Sequence, residues 1–280
     1  MRRRPSWPRK LSDVIVKVLA ALSALFGLVF LAWILYVVLR HGASALSWKF
    51  LTTLPSPPGV GGGGLANAII GTAAMTLLAC VMGVPVGLMA GVYLAEFGRG
   101  NRFATLVRFL VNVMMGIPSI IVGLFVYTIM VRPVGHFSGW AGAVSLALLI
   151  MPVVARTTED MLTLVPNSLR ESALALGVPH WRSTVQIMFR AAKAGLLTGV
   201  LLAVARVSGE TAPLLFTALD SPYWPHSLNG PTGNLTVTIF NYAMSPYPNW
   251  QQAAWGASFL ITAGVLALTI VSRALAREKK

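Results

Sequence analysis

Residues 66–95 read ANAIIGTAAMTLLACVMGVPVGLMAGVYLA, without one Asp, Glu, Lys, Arg or His. An α-helix needs roughly 20 apolar residues to cross a hydrocarbon layer about 30 Å thick, and this run exceeds that. Nor does it stand alone. Of the whole chain 56% is hydrophobic and only 11% charged, far more apolar surface than a water-soluble core of this size can hide. The bilayer is the solvent in which the sequence has to be read.

Working outward from this segment, further apolar runs cover Val14–Leu39, Val107–Val131, Trp140–Ala155, Ala194–Leu215 and Ala253–Leu275, each bounded by charges or Gly/Pro clusters. Six crossings put both termini on one side. The basic start Arg2, Arg3, Arg4, Arg9 and Lys10 marks that side as cytoplasmic. The loops agree: Lys17, Arg102, Arg108, Arg156, Arg170, Arg182, Arg190, Lys193, Arg273 and Arg277 are assigned inside, as are Arg99, Lys279 and Lys280, whereas the outer loops hold Arg40, Lys49 and Arg132. The net charge of +14 is thereby explained by an anionic lipid leaflet, with no nucleic acid required. The first apolar run is longer than the 7–15 residues of a secretory h-region and reads as a retained anchor.

The chain lacks a G-x-x-x-x-G-K-[ST] phosphate loop, an H-E-x-x-H pair and a G-x-S-x-G elbow. It is therefore read as no enzyme in its own right, and any ATP driving it must bind elsewhere. Its single Cys80 supports neither a disulfide framework nor a thiolate metal site. Gly61–Gly64, with Pro55 to Pro58, is expected to form a flexible external loop. Gly83, Gly87 and Gly91 recur every fourth residue and share one helical face, where another backbone can approach closely. That face serves either packing within the bundle or a subunit interface.

Charge inside a span needs a reason, since a central Arg or Glu costs at least about 2.5–3.5 kcal/mol on insertion scales unless paired or hydrated. Arg206 and Glu210 stand four apart in the fifth run, a spacing that stacks them on one helix face. Arg156, at the inner end of the fourth run, is expected to face the same cavity. Two uses stay open: mutual neutralisation, with Arg156 reaching the headgroups, or a substrate path in which guanidinium forks offer donors to an oxyanion and Glu210 restrains one of them.

Between the fourth and fifth runs lies a long basic loop, helical through Ser168–Leu176. It contains Glu171-Ser172-Ala173-Leu174-Ala175-Leu176-Gly177, then Ile187. This resembles the EAA loop of ABC importer permeases, a short helix that docks in a partner's groove and turns sharply at its Gly. Where many members of that group continue with Leu-Pro, this chain has Phe189-Arg190.

The run Arg206-Val207-Ser208-Gly209-Glu210-Thr211-Ala212-Pro213-Leu214-Leu215-Phe216-Thr217-Ala218 narrows the resemblance to PstA-type permease subunits of phosphate ABC transporters, within the binding-protein-dependent transport system inner-membrane component family. Asn67–Thr72, Gly116–Phe125 and Arg156–Leu162 add to it. The resemblance implies an all-α membrane protein of the type I ABC importer (MetI-like) fold, with six transmembrane helices and a cytoplasmic coupling helix. Residues 1–63 would form the basic tail, first helix and an external loop. Residues 64–280 would form the permease core, with the coupling loop at about 157–193.

It further implies a heterodimer with a homologous C-type permease, two ATP-binding subunits that hold the ATP and Mg, an extracytoplasmic phosphate-binding protein and inorganic phosphate as cargo. Substrate-path residues would be Arg206, Glu210 and Arg156; ATPase-coupling residues Glu171, Ser172, Ala173 and Gly177. The setting would be a prokaryotic cytoplasmic (inner) membrane. A permease for another oxyanion, or a membrane regulatory or scaffold subunit of a phosphate-sensing complex, are the alternatives.

Overall fold

The computed structural model describes residues 6–98 and 100–277; Arg2, Arg3, Arg4, Arg99, Lys279 and Lys280 of the charge pattern lie outside them. In chain order the helices are α1 (Ser6–Ala45), α2 (Trp48–Thr52), α3 (Ala66–Val92), α4 (Arg102–Gly116), α5 (Ser119–Val126), α6 (Arg132–Val134), α7 (Gly139–Thr163), α8 (Asn167–Ala175), α9 (His180–Arg182), α10 (Phe189–Val207), α11 (Ala212–Thr217), α12 (Leu235–Ala243) and α13 (Pro248–Arg277). Wider π-helical turns extend α3 over Tyr93–Phe97, follow α5 over Tyr127–Val131 and precede α10 over Ser183–Met188. Among the described residues five helices are long and apolar enough to cross a bilayer, or six if the bent pair α4/α5 is one span.

The centre of the bundle is α3 against α7, and glycine makes it possible. A Cβ on Gly83 would stand 2.8 Å from the Ala147 carbonyl oxygen, one on Gly87 2.7 Å from that of Met151, and one on Gly91 2.5 Å from that of Ala155. Each close approach is to backbone, which cannot swing aside. The four-residue ladder thus faces the α7 backbone of the same chain. Met75, Ala79, Leu146, Ile150 and Val154 continue the same seam as its buried core.

Two runs expected to be continuous are broken. The third bends by 102° between α4 and α5, because Ile117 before Pro118 adopts extended backbone (φ −72°, ψ 129°), the conformation a following proline imposes. The fifth ends at Val207 and resumes as the short α11; Pro213 has no N–H to continue the ladder. The fourth run behaves oppositely. It was bounded at Ala155 by the charge of Arg156, yet α7 continues to Thr163 as the most buried of the spanning helices. Arg156 pairs along the helix with Glu159 at 3.6 Å and Asp160 at 3.2 Å, so charge does not stop it.

α1 stands apart, exposed along nearly its whole length, and meets α13 where Gly42 lies against Trp255 and Phe259. At the end of the bundle opposite α8, the Pro55–Gly64 segment is fastened down, contrary to its composition. The Gly64 N–H donates to Leu54 O and Leu65 N–H to Phe50 O; Trp250 Nε1 donates to Ser56 O, and Asn249 to Val60 O. The stacked rings of Tyr242 and Trp250, 4.4 Å apart, anchor that cap.

Candidate translocation and coupling sites

Arg206 lies in the last turn of α10, and Glu210 lies beyond its end, in the turn closed by Ser208 N–H to Val204 O and Glu210 N–H to Val207 O. The expected stack on one helix face therefore does not form. Among the described residues neither side chain makes an ion pair. Instead both line a pocket of about 170 Å³ together with Met114, Pro118, Ser119 and Pro152. Two helix breaks, at Ile117–Pro118 and at Ser208–Thr211, converge there. Non-helical backbone at membrane depth is tolerated where it is buried in protein or lines a cavity. The Thr236 hydroxyl donates to Glu210 O at 3.0 Å, which fixes the turn against α12.

Arg156 is not brought to this pocket. It sits one turn further along the face of α7 that offers Pro152 and Val153 to it, engaged by Glu159 and Asp160. Glu159 is itself buried and also accepts from Arg108 Nε on α4, whose Nη2 donates to Leu94 O at 2.8 Å. One carboxylate thus ties α4 to α7, and the π turn that extends α3 joins through the Leu94 carbonyl. The sequence reading missed this cluster because it counted Arg108 only as a cytoplasmic charge and met Glu159 only within the Arg156–Leu162 resemblance.

The same oversight hid Glu96. The π turn at the end of α3 aims its carboxylate, 3% exposed, at Arg170 of α8, with Nη2 to Oε1 at 2.8 Å and Nε to Oε1 and Oε2 at 3.1 and 3.2 Å. The rest of the guanidinium donates to Leu162 O, Val165 O and Asn167 Oδ1. A forked, charge-assisted contact of this kind fixes both distance and orientation. It fastens α8 to the end of α3.

α8 itself has the form expected of it. Ala173 is buried against the bundle, while Glu171 and Ser172 face outward and Leu176 is 83% exposed. The helix closes with Val178 N–H to Ala173 O and Gly177 N–H to Leu174 O, and Gly177 takes φ +75°, a Schellman ending. A Cβ at Gly177 would meet nothing, so the demand is on backbone conformation alone. Gly177→Ala is expected to cost about 1–2 kcal/mol locally and to raise hydrogen exchange at the α8 amides by roughly tenfold. Unchanged exchange would mean that the turn does not depend on glycine.

Near the opposite end, the 219–250 segment closes a pocket of about 680 Å³ lined by Asn67, Asp220, Tyr223, Asn241 and Trp250. Burial pushes the Asp220 carboxyl above the usual carboxylate range, against the pull of donors from Ser221, Asn241 and Thr238, and burial with the nearby Asp220 charge raises the Tyr242 phenol to about 12. The segment is held inward by Asn234, which caps α12 by accepting from Val237 N–H and donates to Leu219 O.

The family model of the binding-protein-dependent transport system inner membrane component matches residues 83–278. The chain belongs to that family. It is 50% identical over 279 residues to the phosphate transport system permease protein PstA of Yersinia pestis, spanning 100% of this chain and 94% of that protein. The PstA of Haemophilus influenzae is 48% identical, with 97% of this chain and 96% of that one covered. PstA 1 of Mycobacterium tuberculosis is 35% identical, at 94% and 88%.

Solved structures of this family's fold superpose on it. An inward-facing MetNI methionine ABC transporter matches with TM-score 0.64 at 22% identity, over 76% of this chain and 94% of that one. A bacterial ABC transporter importing the acidic polysaccharide alginate matches with TM-score 0.66 at 13% identity, over 98% and 99%. At such identities these likenesses establish the fold alone, all-α and MetI-like; the family and the apolar helices make the chain a multi-pass inner-membrane component.

Proposed function

We propose that this chain is the transmembrane permease subunit of an ATP-driven inorganic phosphate importer and forms half of a translocation path worked by alternating access. The observation that carries the reading is full-length identity of 50% to a PstA permease, joined to a lone guanidinium in a pocket at two helix breaks. Phosphate near neutral pH must exchange its water for fixed donors, and a forked Arg supplies them. Arg206 is the donor in this reading. Glu210, on the same pocket, competes for the guanidinium and keeps the anion from being trapped.

The other half of the path is a homologous C-type permease. Two ATP-binding subunits hold ATP and Mg and supply the power stroke, and an extracytoplasmic phosphate-binding protein delivers the cargo. Both termini and α8 face the cytoplasm, so that closure of the ATPase pair presses on Glu171, Ser172 and the exposed leucines. The Arg170–Glu96 clamp carries that displacement into α3, and the glycine ladder, too tight to slide, carries it into α7. Arg156 then acts with Arg108 and Glu159 as a charged closure on the inner side of the Arg206 pocket.

Proteoliposomes holding the complete assembly, charged with ATP, are expected to accumulate radiolabelled phosphate, to fall to the passive leak when this chain is omitted, and to ignore equimolar sulfate. Equal competition by sulfate would replace phosphate with a general oxyanion. Undiminished uptake without the chain would make it a scaffold.

A further inference from the structure

On the face of α10 away from the Arg206 pocket lies a second hollow, of about 430 Å³, bounded by Val84 and Leu88 of α3 and by Leu197 and Val200 of α10. Leu197 precedes Arg206 by nine residues, which at 3.6 residues per turn places it about half a turn round the helix. The hollow therefore opens to the back of the subunit. Its walls are apolar except at one end, where Arg190 and Lys193 complete the lining.

Those two cations are exposed, and neither makes an ion pair among the described residues. No Asp or Glu occurs anywhere in Ser183–Val207 to neutralise them. At this end Arg108, Arg156 and Arg170 are held by carboxylates; Arg102, Arg182 and Arg273 likewise make no ion pair among the described residues, but it is Arg190 and Lys193 that line the hollow. An apolar slot roofed by two free cations is complementary to one chemistry, a long hydrocarbon chain ending in an anionic phosphate. Basic pockets between transmembrane helices on the cytoplasmic side bind such headgroups.

We propose that the α3–α10 groove is a site for an anionic phospholipid of the inner leaflet, with an acyl chain along Val84, Leu88, Leu197 and Val200 and its phosphate between Arg190 and Lys193. The leaflet rests on the orientation given under Proposed function; the groove and its charge do not. The lipid fills the back of α10, the helix whose far end carries Arg206, and so steadies it without entering the transport path.

Native mass spectrometry of the detergent-purified assembly, titrated with phosphatidylglycerol, tests this independently of transport. One lipid per copy of this chain is expected to bind at least tenfold more tightly than phosphatidylcholine. Arg190→Gln with Lys193→Gln should weaken it by roughly thirtyfold, from the ordinary contribution of two cations near a membrane surface. Leu197→Trp, which fills the slot and leaves the charges alone, should abolish it. The intact complex mass in the same spectra verifies assembly of each variant.

Equal affinity for phosphatidylcholine would overturn the proposal, as would unchanged binding in the double variant. Parent-like binding by Leu197→Trp would reduce the effect to diffuse surface charge and also overturn it. Displacement by millimolar glycerol phosphate would assign the cations to a free phosphate instead of a lipid.

Discussion

Arg170→Ala is expected to lower ATP-driven uptake by at least tenfold while the chain still inserts in the membrane and the assembly still hydrolyses ATP. The argument is one of burial. Glu96 is 3% exposed and Arg170 12% exposed, so deleting the guanidinium leaves a carboxylate without its counter-charge. Removing one partner of a buried pair costs about 3–5 kcal/mol, and three further acceptors, Leu162 O, Val165 O and Asn167 Oδ1, lose a donor at the same stroke. The clamp is the charged tie between α8 and the end of α3. Without it, pressure on α8 moves α8 alone.

A double variant separates this from simple loss of stability. Arg170→Met with Glu96→Gln removes both charges and the desolvation penalty together, so it should recover much of the thermal stability of the assembly. Uptake should stay low, because an apolar contact does not fix the orientation of α8. Recovery of uptake along with stability would make the clamp a structural bridge with no part in coupling.

What the sequence disclosed depended on the physics involved. Apolar length is a property of single segments, so the spans could be read from 66–95 outward, and the four-residue spacing of Gly83, Gly87 and Gly91 announced the tight face of α3. Resemblance supplied the fold and drew attention to the segment that forms α8. Hidden were features made by segments distant along the chain: Glu96 with Arg170, or Arg108 with Glu159, which a linear reading meets only as separate charges. The i,i+4 spacing of Arg206 and Glu210 misled because it presumes a helix through 210, and Pro213 is the local sign that the helix stops first. The Pro/Gly loop was misjudged for a related reason, since its composition speaks of flexibility and its fastening comes from Trp250 and Asn249, far along the chain.

The second large effect falls on Arg206. An unpaired guanidinium at membrane depth costs at least about 2.5–3.5 kcal/mol on insertion scales, and α10 keeps one at its end with no carboxylate engaged. A merely structural arginine would gain from pairing with Glu210, which lines the same pocket. Replacing it with alanine removes the forked donor and leaves a pocket whose side chains offer phosphate a carboxylate, the Ser119 hydroxyl and otherwise apolar walls. Uptake should fall to the passive leak. Arg206→Lys, which keeps the charge but not the planar fork, should retain a small fraction of the parent rate, and sulfate discrimination should weaken in it.

The decisive measurement is the initial rate of radiolabelled phosphate uptake by proteoliposomes of the complete assembly, parent against Arg206→Ala, at equal incorporation and equal ATPase binding. The account predicts abolished uptake with an assembled, ATP-binding complex. Uptake at the parental rate would contradict it and return Arg206 and Glu210 to a purely structural role.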